Sequence, residues 1–540
     1  MLRKLTFVCM LFFAVSVFAQ RSLIITHDDP VLIQQQPGGG ATVTPQPDTL
    51  SSYAVQPDGS LLLVGSFPTG LNGGASAGDA NGGGVGFIPL RKIAVSGDNK
   101  FVFATGAPTN VISSFSIDGA TGILTQVPGS PFPTGTEACN GMGLAASPNG
   151  KNLYAASACG AAGPVPGGNP VVSAFAISPG GALSKIGTDQ PIQQPLDMAV
   201  TGDGKFLVIS NGGIGGQPPV TTVFNIAADG SLTLQGTPFQ VLTSGFSSAT
   251  QVDCANHVFH GIDDLTSKVE VFNLGSAGLT QIAGSPFIAI PQAQTSGGLV
   301  GSALVEGGKF LVVSDEFGFA VSFSIAPDGS LAQVGGQVPG TAQIEMGQMT
   351  ADSSGGFVYS RGVTGIAAFS VDANGNLANV PGSPLPSGNL TPFGTMAAYP
   401  VHQCAAAPAV VKFGAFNVEL DEKTTAPRSF ELEGSFTLGA ASNGIAPLSE
   451  AVTVTAGGYT ATIPAGSFKL SSTGSFTFNG TIGGVKVEMS ITPSATTPNK
   501  YSFEFEAPVD LSAAGSPVPV SVSIGDDTGS ATVKPQLKTS

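Results

Sequence analysis

Apolar and polar residues alternate along most of this 540-residue chain, in short runs cut by Gly, Asp-Gly or Asn-Gly. A two-residue period turns one face of the backbone toward a core and the other toward solvent. Each run therefore predicts a β-strand and each cut a tight hairpin. No stretch carries the 3.6-residue period of a long amphipathic helix. The pattern predicts an all-β chain of many short strands.

One pattern recurs seven times: an aromatic, an aliphatic two positions on, a turn with Gly, then usually Leu. Its anchors are Tyr53, Phe115, Phe175, Phe224, Phe272, Phe323 and Phe369, spaced 46 to 62 residues apart. That spacing is the length of a four-stranded propeller blade. Between copies lie hairpins such as TGDGKFLVISN at 201–211, preceded by strands rich in small residues such as GMGLAAS at 141–147. Small side chains suit the crowded innermost strand around a propeller axis. RSLIITHDD at 21–29 reads as a second strand lacking its first. PFGTMAAYP at 392–400 reads as a first strand lacking its second. The two are expected to pair and close a seven-bladed β-propeller over residues 20–402, hiding two strand edges.

After a linker at 403–411 the repeat stops. Residues 412–540 alternate differently, in roughly eight strands that predict a smaller β-sandwich. Its acidic residues Glu419, Glu431, Glu433, Glu504 and Glu506 alternate with apolar ones and are expected on solvent faces of strands. Asp526-Asp527 reads as a hairpin turn rather than a Ca²⁺ loop, since no further carboxylates follow at ligand spacing.

Composition sharpens this picture. Gly (75) and Pro (40) make about a fifth of the chain, as turn-rich β structure needs, and Trp is absent. A formal net charge of −15 repels phosphate backbones, which argues against nucleic acid. Arg3 and Lys4, the apolar run Leu5 to Val17 and the small-residue site before Gln20 predict a signal peptide over 1–19. The run is shorter than the ~20 residues a membrane anchor needs. No later span is seen, so the mature protein is expected to be soluble, secreted or periplasmic, and monomeric. Four cysteines then remain. Cys139 and Cys159 stand ten residues either side of Asn149, at the turn of one hairpin, and are expected to form a disulfide. Cys254 and Cys404 either pair or stay free.

Candidate chemistry is sparse. Neither a Gly-x-Ser-x-Gly elbow nor a His-Glu-x-x-His helix is present. Asp253, Cys254, His257 and His260 form the one polar cluster that could attract a metal, and plain strand and turn roles suit them better. Neither a metal nor a cofactor is called for.

The propeller, over roughly 21–400, resembles the seven-bladed lactonase family of 6-phosphogluconolactonase and muconate-cycloisomerase type. The resemblance rests on the aromatic-x-aliphatic…Gly-x-Leu repeat, on the Gly-Lys hairpins and on two segments. GGFVYSRGVTG at 355–365 matches the family through Arg361 and Gly362. FLVVSDEFGF at 310–319 matches through Asp315 and Gly318. Lactone opening needs a positive group on the carbonyl oxygen and a base to activate water. The resemblance implies Arg361 for the first role and Asp315, Glu316 or Glu345 for the second. Aligned innermost strands place Lys92, Gly143, Asp197, Ala249, Gly301, Gln348 and Thr395 at one level of the channel, with Lys92, Asp197 and Gln348 as its polar lining. That ring lacks the family's channel histidines and does not make a catalytic constellation. The sequence therefore predicts an extracytoplasmic binding or scaffold protein on a lactonase-like propeller, with a small molecule, a glycan or a surface protein as partner. A lactonase opening a sugar lactone in the channel is the alternative.

Overall fold

The computed structural model describes residues 21–538 outside 36–40, 74–90, 107–110, 136–141, 158–169, 194, 212–217, 241–245, 264–266, 290–297, 316–317, 341–348, 363–364, 392–393, 403, 405–410, 427, 440–441, 443, 449, 465, 472–473 and 526. Contacts divide the chain into two units, Met1–Cys404 and Ala405–Ser540. No described helix is long and apolar enough to cross a membrane.

The first unit is built from seven antiparallel sheets of four or five strands. The innermost strands of blades 2 to 7 are Ile93–Val95, Met142–Ala146, Pro195–Val200, Phe246–Val252, Leu299–Val305 and Met349–Ala351. Each touches the next, and Thr395–Tyr399 joins the last to the first, so the ring is closed. Thr395–Tyr399 is the innermost strand of blade 1. It pairs with Leu23–His27 in a register that sets Leu23 opposite Tyr399 and His27 opposite Thr395. The closing strand expected at 392–400 thus completes the N-terminal blade.

The repeated aromatics explain why blades adhere. All seven anchors are at most 3% exposed. Six of them share a core with the second strand of the preceding blade: Phe115 with Leu23 and Ile25, Phe175 with Phe101 and Phe103, Phe224 with Tyr154, Phe272 with Val208, Phe323 with Phe259 and Phe369 with Val312. The glycine of the following turn completes the contact. Gly181 has φ +84°, and a Cβ there would lie 2.5 Å from the Phe101 ring of the preceding blade. Gly375 repeats this against Phe310 at φ +86° and 2.5 Å. Both the backbone conformation and the space require glycine.

Two features were not anticipated. A two-stranded hairpin, Val31–Gln35 with Ala41–Pro45, is inserted in blade 1 between its second and third strands. The chain beyond Tyr399 then crosses the end of the channel where the inner hairpins turn. The Val401 amide donates to Asn99 Oδ1 of blade 2 at 2.8 Å. A Cβ at Gly307 of blade 6 would meet the His402 ring at 3.1 Å, and one at Gly202 of blade 4 would stand 2.2 Å from Cys404 Sγ. The strap ends in a disulfide from Cys404 to Cys254 of blade 5. The open question of these two cysteines is thereby answered: they pair, because the strap carries Cys404 across the ring to a blade that is not its neighbour. Cys139 and Cys159 lie outside the described residues.

The second unit has a five-stranded and a seven-stranded sheet around one apolar core that includes Leu420, Phe430, Leu432, Val454, Phe505 and Val522. The seven-stranded sheet sets Glu419 opposite Glu433, Glu433 opposite Glu504, and Glu431 opposite Glu506. Burial, and then its neighbours Glu433 and Glu506, raise the pKa of Glu431. Asp527 is buried and accepts from Ser442 Oγ at 2.8 Å, beside the turn where the register sets Ile524 opposite Asp527.

The Cys254–Cys404 bridge closes a separation of 150 residues. On chain-entropy grounds such a loop is worth about 5 kcal/mol. Urea unfolding of Cys254→Ser/Cys404→Ser is expected to show the propeller folded but destabilised by an amount of that order. An unchanged midpoint would show that the strap adds nothing to ring closure.

Candidate functional site

The inner strands enclose a cavity of about 330 Å³. Small residues such as Ala145, Ala199, Ala351 and Ala398 line it together with Leu304 and the polar Gln251, Asp253 and Thr350, while the side chains of Leu144, Met198, Met349 and Met396 on the same strands are buried in the cores between blades. At the hairpin end the lumen meets Val401, His402 and Cys404 of the strap. Arg91 lies at the level where the inner strands begin.

Arg91 lies two residues before the inner strand of blade 2, yet its side chain reaches blades 4 and 5. Its Nη2 donates to Asp197 Oδ2 at 3.2 Å and to the Thr250 carbonyl at 2.8 Å. Asp197 is completely buried and also accepts from the Thr250 amide at 2.8 Å and from the Met198 amide at 2.9 Å. Burial pushes the Asp197 pKa up, against the pull of Arg91 and these amides. A β-bulge between Pro195 and Asp197 breaks the pairing where this carboxylate leaves the strand. Equivalent irregularities occur in blade 5 between Ser247 and Ala249 and in blade 6 between Leu299 and Gly301. Such bulges re-aim side chains at a barrel or propeller rim.

A second charged group fills blade 1. Lys92 Nζ is ion-paired with Asp29, and both side chains are nearly or wholly buried. Asp48 accepts from the Asp29 amide at 3.0 Å and contacts His27 Nε2 at 2.8 Å. Burial alone would lower the His27 pKa. Asp48, with help from Asp29, outweighs it and the net shift is upward. Burial likewise opposes ionisation of Asp48, and the His27 charge and hydrogen bond hold its pKa below the usual carboxylate range. Asp28 is kept in place by the hydroxyls of Thr26, Thr49 and Ser51.

The described residues among those singled out from the sequence sit on different blades. Arg361 ends a second strand in blade 7 and is 5% exposed. Asp315 ends the corresponding strand in blade 6 and is fully buried. Asp315 Oδ1 accepts from the Phe319 amide at 2.8 Å, so this carboxylate holds its own turn. Neither residue is among the described residues lining the cavity above. Glu316, Glu345 and Gln348 lie outside the described residues. Lys92 and Asp197 stand at the starts of inner strands, with Lys92 turned to Asp29 and Asp197 to Arg91. Gly301 and Thr395 begin or nearly begin inner strands, as does Ala249 after its bulge, and Gly143 follows Met142 in blade 3.

The polar cluster of blade 5 also resolves into separate roles. Asp253 caps its turn through the His257 amide and holds His257 Nδ1 at 2.7 Å. Cys254 is in the disulfide. His260 is buried between Thr221 and Thr250 hydroxyls, and desolvation pushes its pKa down to about 3, so it stays neutral. No group of three or more potential metal ligands is found among the described residues. The residues missed in the sequence are Arg91, Asp29 and Asp48. Arg91 had one visible signal: Arg91-Lys92 is a basic pair set against an inner strand in a chain with only 20 Lys and Arg.

A closed ring of seven blades, sealed by pairing a C-terminal strand with an N-terminal one, has the fold of the lactonase-like β-propellers. Among solved structures, a candidate 6-phosphogluconolactonase of Bacteroides uniformis is 16% identical. It matches 70% of this chain and 100% of its own length, with a TM-score of 0.50. A periplasmic gluconolactonase of Pseudomonas aeruginosa is also 16% identical, over 70% of this chain and 99% of its own, with a TM-score of 0.48. At such identities the likeness is one of fold. No protein-family model matches the chain, and no curated protein matches it.

The His27–Asp48 pair has a definite pH signature. The raised His27 pKa contributes stability below about pH 6.5 that is lost as pH rises through the folded value. The depressed Asp48 pKa contributes above about pH 3.8 and is lost as pH falls through its folded value. Asp48→Asn breaks a buried pair and is expected to cost about 3 kcal/mol at pH 6, and less at pH 9. Urea unfolding at the two pH values checks this; an equal cost at both would show that His27 is not charged in the folded state.

Proposed function

We propose that this chain is an exported ligand-binding propeller and not a lactone hydrolase. The observation that carries this reading is the separation of charge along the lumen. Among the described residues lining the cavity, Arg91 is the cationic donor at its inner-strand end, and it is clamped by Asp197 and Thr250. Among the described residues, the carboxylate lining the lumen is Asp253. It is engaged by His257 and lies three residues along blade 5 from Thr250, about 10 Å at strand spacing. A hydrolase needs its base and its oxyanion donor around one carbonyl, within hydrogen-bond reach of the same reacting group. Asp197 does not supply that base, since its oxygens are taken up by Arg91 and two amides inside the wall.

Purified mature protein incubated with a panel of sugar and aliphatic lactones is expected to give no turnover above the uncatalysed rate. Turnover that falls at least ten-fold in Arg361→Ala or in Arg91→Met would make the protein a hydrolase and overturn this reading.

Export is part of the same proposal and is supported by the basic start, the apolar run and the cleavage site before Gln20. Terminal sequencing of protein secreted by a bacterial host is expected to begin at Gln20. Recovery of the uncleaved chain from the cytoplasm alone would refute it.

A further inference from the structure

We propose that the outer edge of blade 1 pairs with the same edge of a second copy of this chain, as two antiparallel strands related by a two-fold axis. This goes beyond the binding reading above and does not rest on it. It replaces the monomer expected from the sequence.

The blades supply their own comparison. The repeat leucine, Leu61 in blade 1, stands at or beside the start of each outer strand. Two positions on, five of the other six blades carry a polar side chain, and each is engaged at the rim. Gln126 Nε2 donates to the Thr69 carbonyl at 3.3 Å, and Gln281 Nε2 to the Ser285 carbonyl at 2.9 Å. Gln333 Nε2 reaches the Gly335 carbonyl at 3.4 Å, and Asn379 Nδ2 the Pro339 carbonyl at 3.0 Å. Lys185 Nζ donates to Asp189 Oδ2 at 2.8 Å. Blade 4 has Leu234 at this position, preceded by Thr233. Blade 1 departs furthest, with Leu62 and Leu63 in sequence, 60% and 51% exposed.

The edge beside these leucines is open. Leu61–Asn72 borders its sheet and, at 12 residues, is the longest of the described outer strands. Every second amide and carbonyl of such a strand points away from the sheet. Farther along, the Thr69 carbonyl is taken by Ser113 Oγ and Gln126 Nε2 of blade 2. Over Leu61–Phe67 the backbone bonds, among the described residues, to the third strand of its own blade alone.

Three constraints identify the occupant. A row of unpaired backbone groups is satisfied by an extended strand. That strand is uncharged: Gly59 to Asn72 holds no charged residue, so the edge attracts neither a basic nor an acidic partner. It is also where a chain of net charge −15 approaches its own copy with least repulsion. Finally, the strand presents apolar side chains to Leu62 and Leu63. The blade 1 edge meets all three conditions itself. The blade 3 edge carries Lys185 and Asp189, and the blade 6 edge would set Gln333, Gly335 and Gly336 against the leucines. Pairing like edges closes at two copies, whereas pairing blade 1 with blade 6 is head-to-tail and grows. Seven residues a side make a ribbon of about 20 Å. That lies at the low end of interface size, so the dimer is weak and reversible.

The test is sedimentation velocity of the full mature protein from about 1 to about 300 μM. The weight-average mass is expected to rise toward that of a dimer, with a Kd on the order of 100 μM. Leu62→Thr/Leu63→Gln installs the pair that blade 2 carries as Thr125-Gln126. It is expected to weaken association about ten-fold or more. Circular dichroism and the thermal midpoint establish that this variant folds. In the parent protein, hydrogen exchange is expected to slow within Leu61–Phe67 as concentration rises, with the inner strands unchanged. A parent that stays monomeric at the highest concentration overturns the proposal. So does association unchanged in the folded variant, or concentration-dependent protection confined to other segments. Growth beyond two copies overturns it as well, since that requires a head-to-tail contact.

Discussion

The contact on which the propeller depends is the seat of each blade on the one before it. An aromatic of the third strand enters the preceding blade's core, and two of the glycines that follow, Gly181 and Gly375, close against its second strand with no room for a side chain. No blade can bury its own faces alone, because a single four-stranded sheet has two sides and little thickness. Stacking the blades buries them, and a closed ring leaves no terminal blade with a bare face. Closure therefore has a value that the internal contacts of one blade lack. The structure secures it twice, by strand pairing of Thr395–Tyr399 with Leu23–His27 and by the disulfide just beyond that strand.

The same constraint explains what the sequence could disclose. Inter-blade seating is local in sequence and repeated seven times, so Tyr53 through Phe369 and their turn glycines stand out as a period. Closure was legible because both orphan strands resemble members of complete blades. The disulfide was not, since a repeat says nothing about a strap that crosses the ring after the last blade. Nor was the hairpin at 31–45, which belongs to no repeat. In the second unit, alternation gave the sandwich but undercounted its strands. Short strands such as Val411–Lys412 and Lys469–Leu470 carry too few residues for a period to show.

Charged contacts were the least legible feature, for a physical reason. Strand periodicity fixes which face a residue occupies, while an ion pair depends on the reach of two side chains across the ring. Arg91 and Asp197 are 106 residues apart, and Lys92 and Asp29 are 63 apart. Adjacent residues Arg91 and Lys92 turn to opposite partners, one across the channel and one into blade 1. This is what alternation implies once each has a buried carboxylate to reach. The ring of aligned inner-strand residues located Lys92 and Asp197 but missed the partners that decide their chemistry.

A shared fold leaves that chemistry undecided, because the ring needs only its seating contacts and is indifferent to what lines the lumen. An inner-strand position can hold a methionine or a carboxylate without altering how Phe323 enters blade 5. The chain uses this freedom toward low charge. With only a tenth of its residues charged, it places several of them as buried pairs near the starts of inner strands, where they are satisfied by one another and by backbone amides. Such pairs are costly to break and contribute little when intact. Their fixed geometry orients one guanidinium toward the lumen at a defined level. Pairing with Asp197 offsets most of its net charge and leaves its directional N–H groups, so what the guanidinium offers the lumen is set by hydrogen-bond geometry more than by charge.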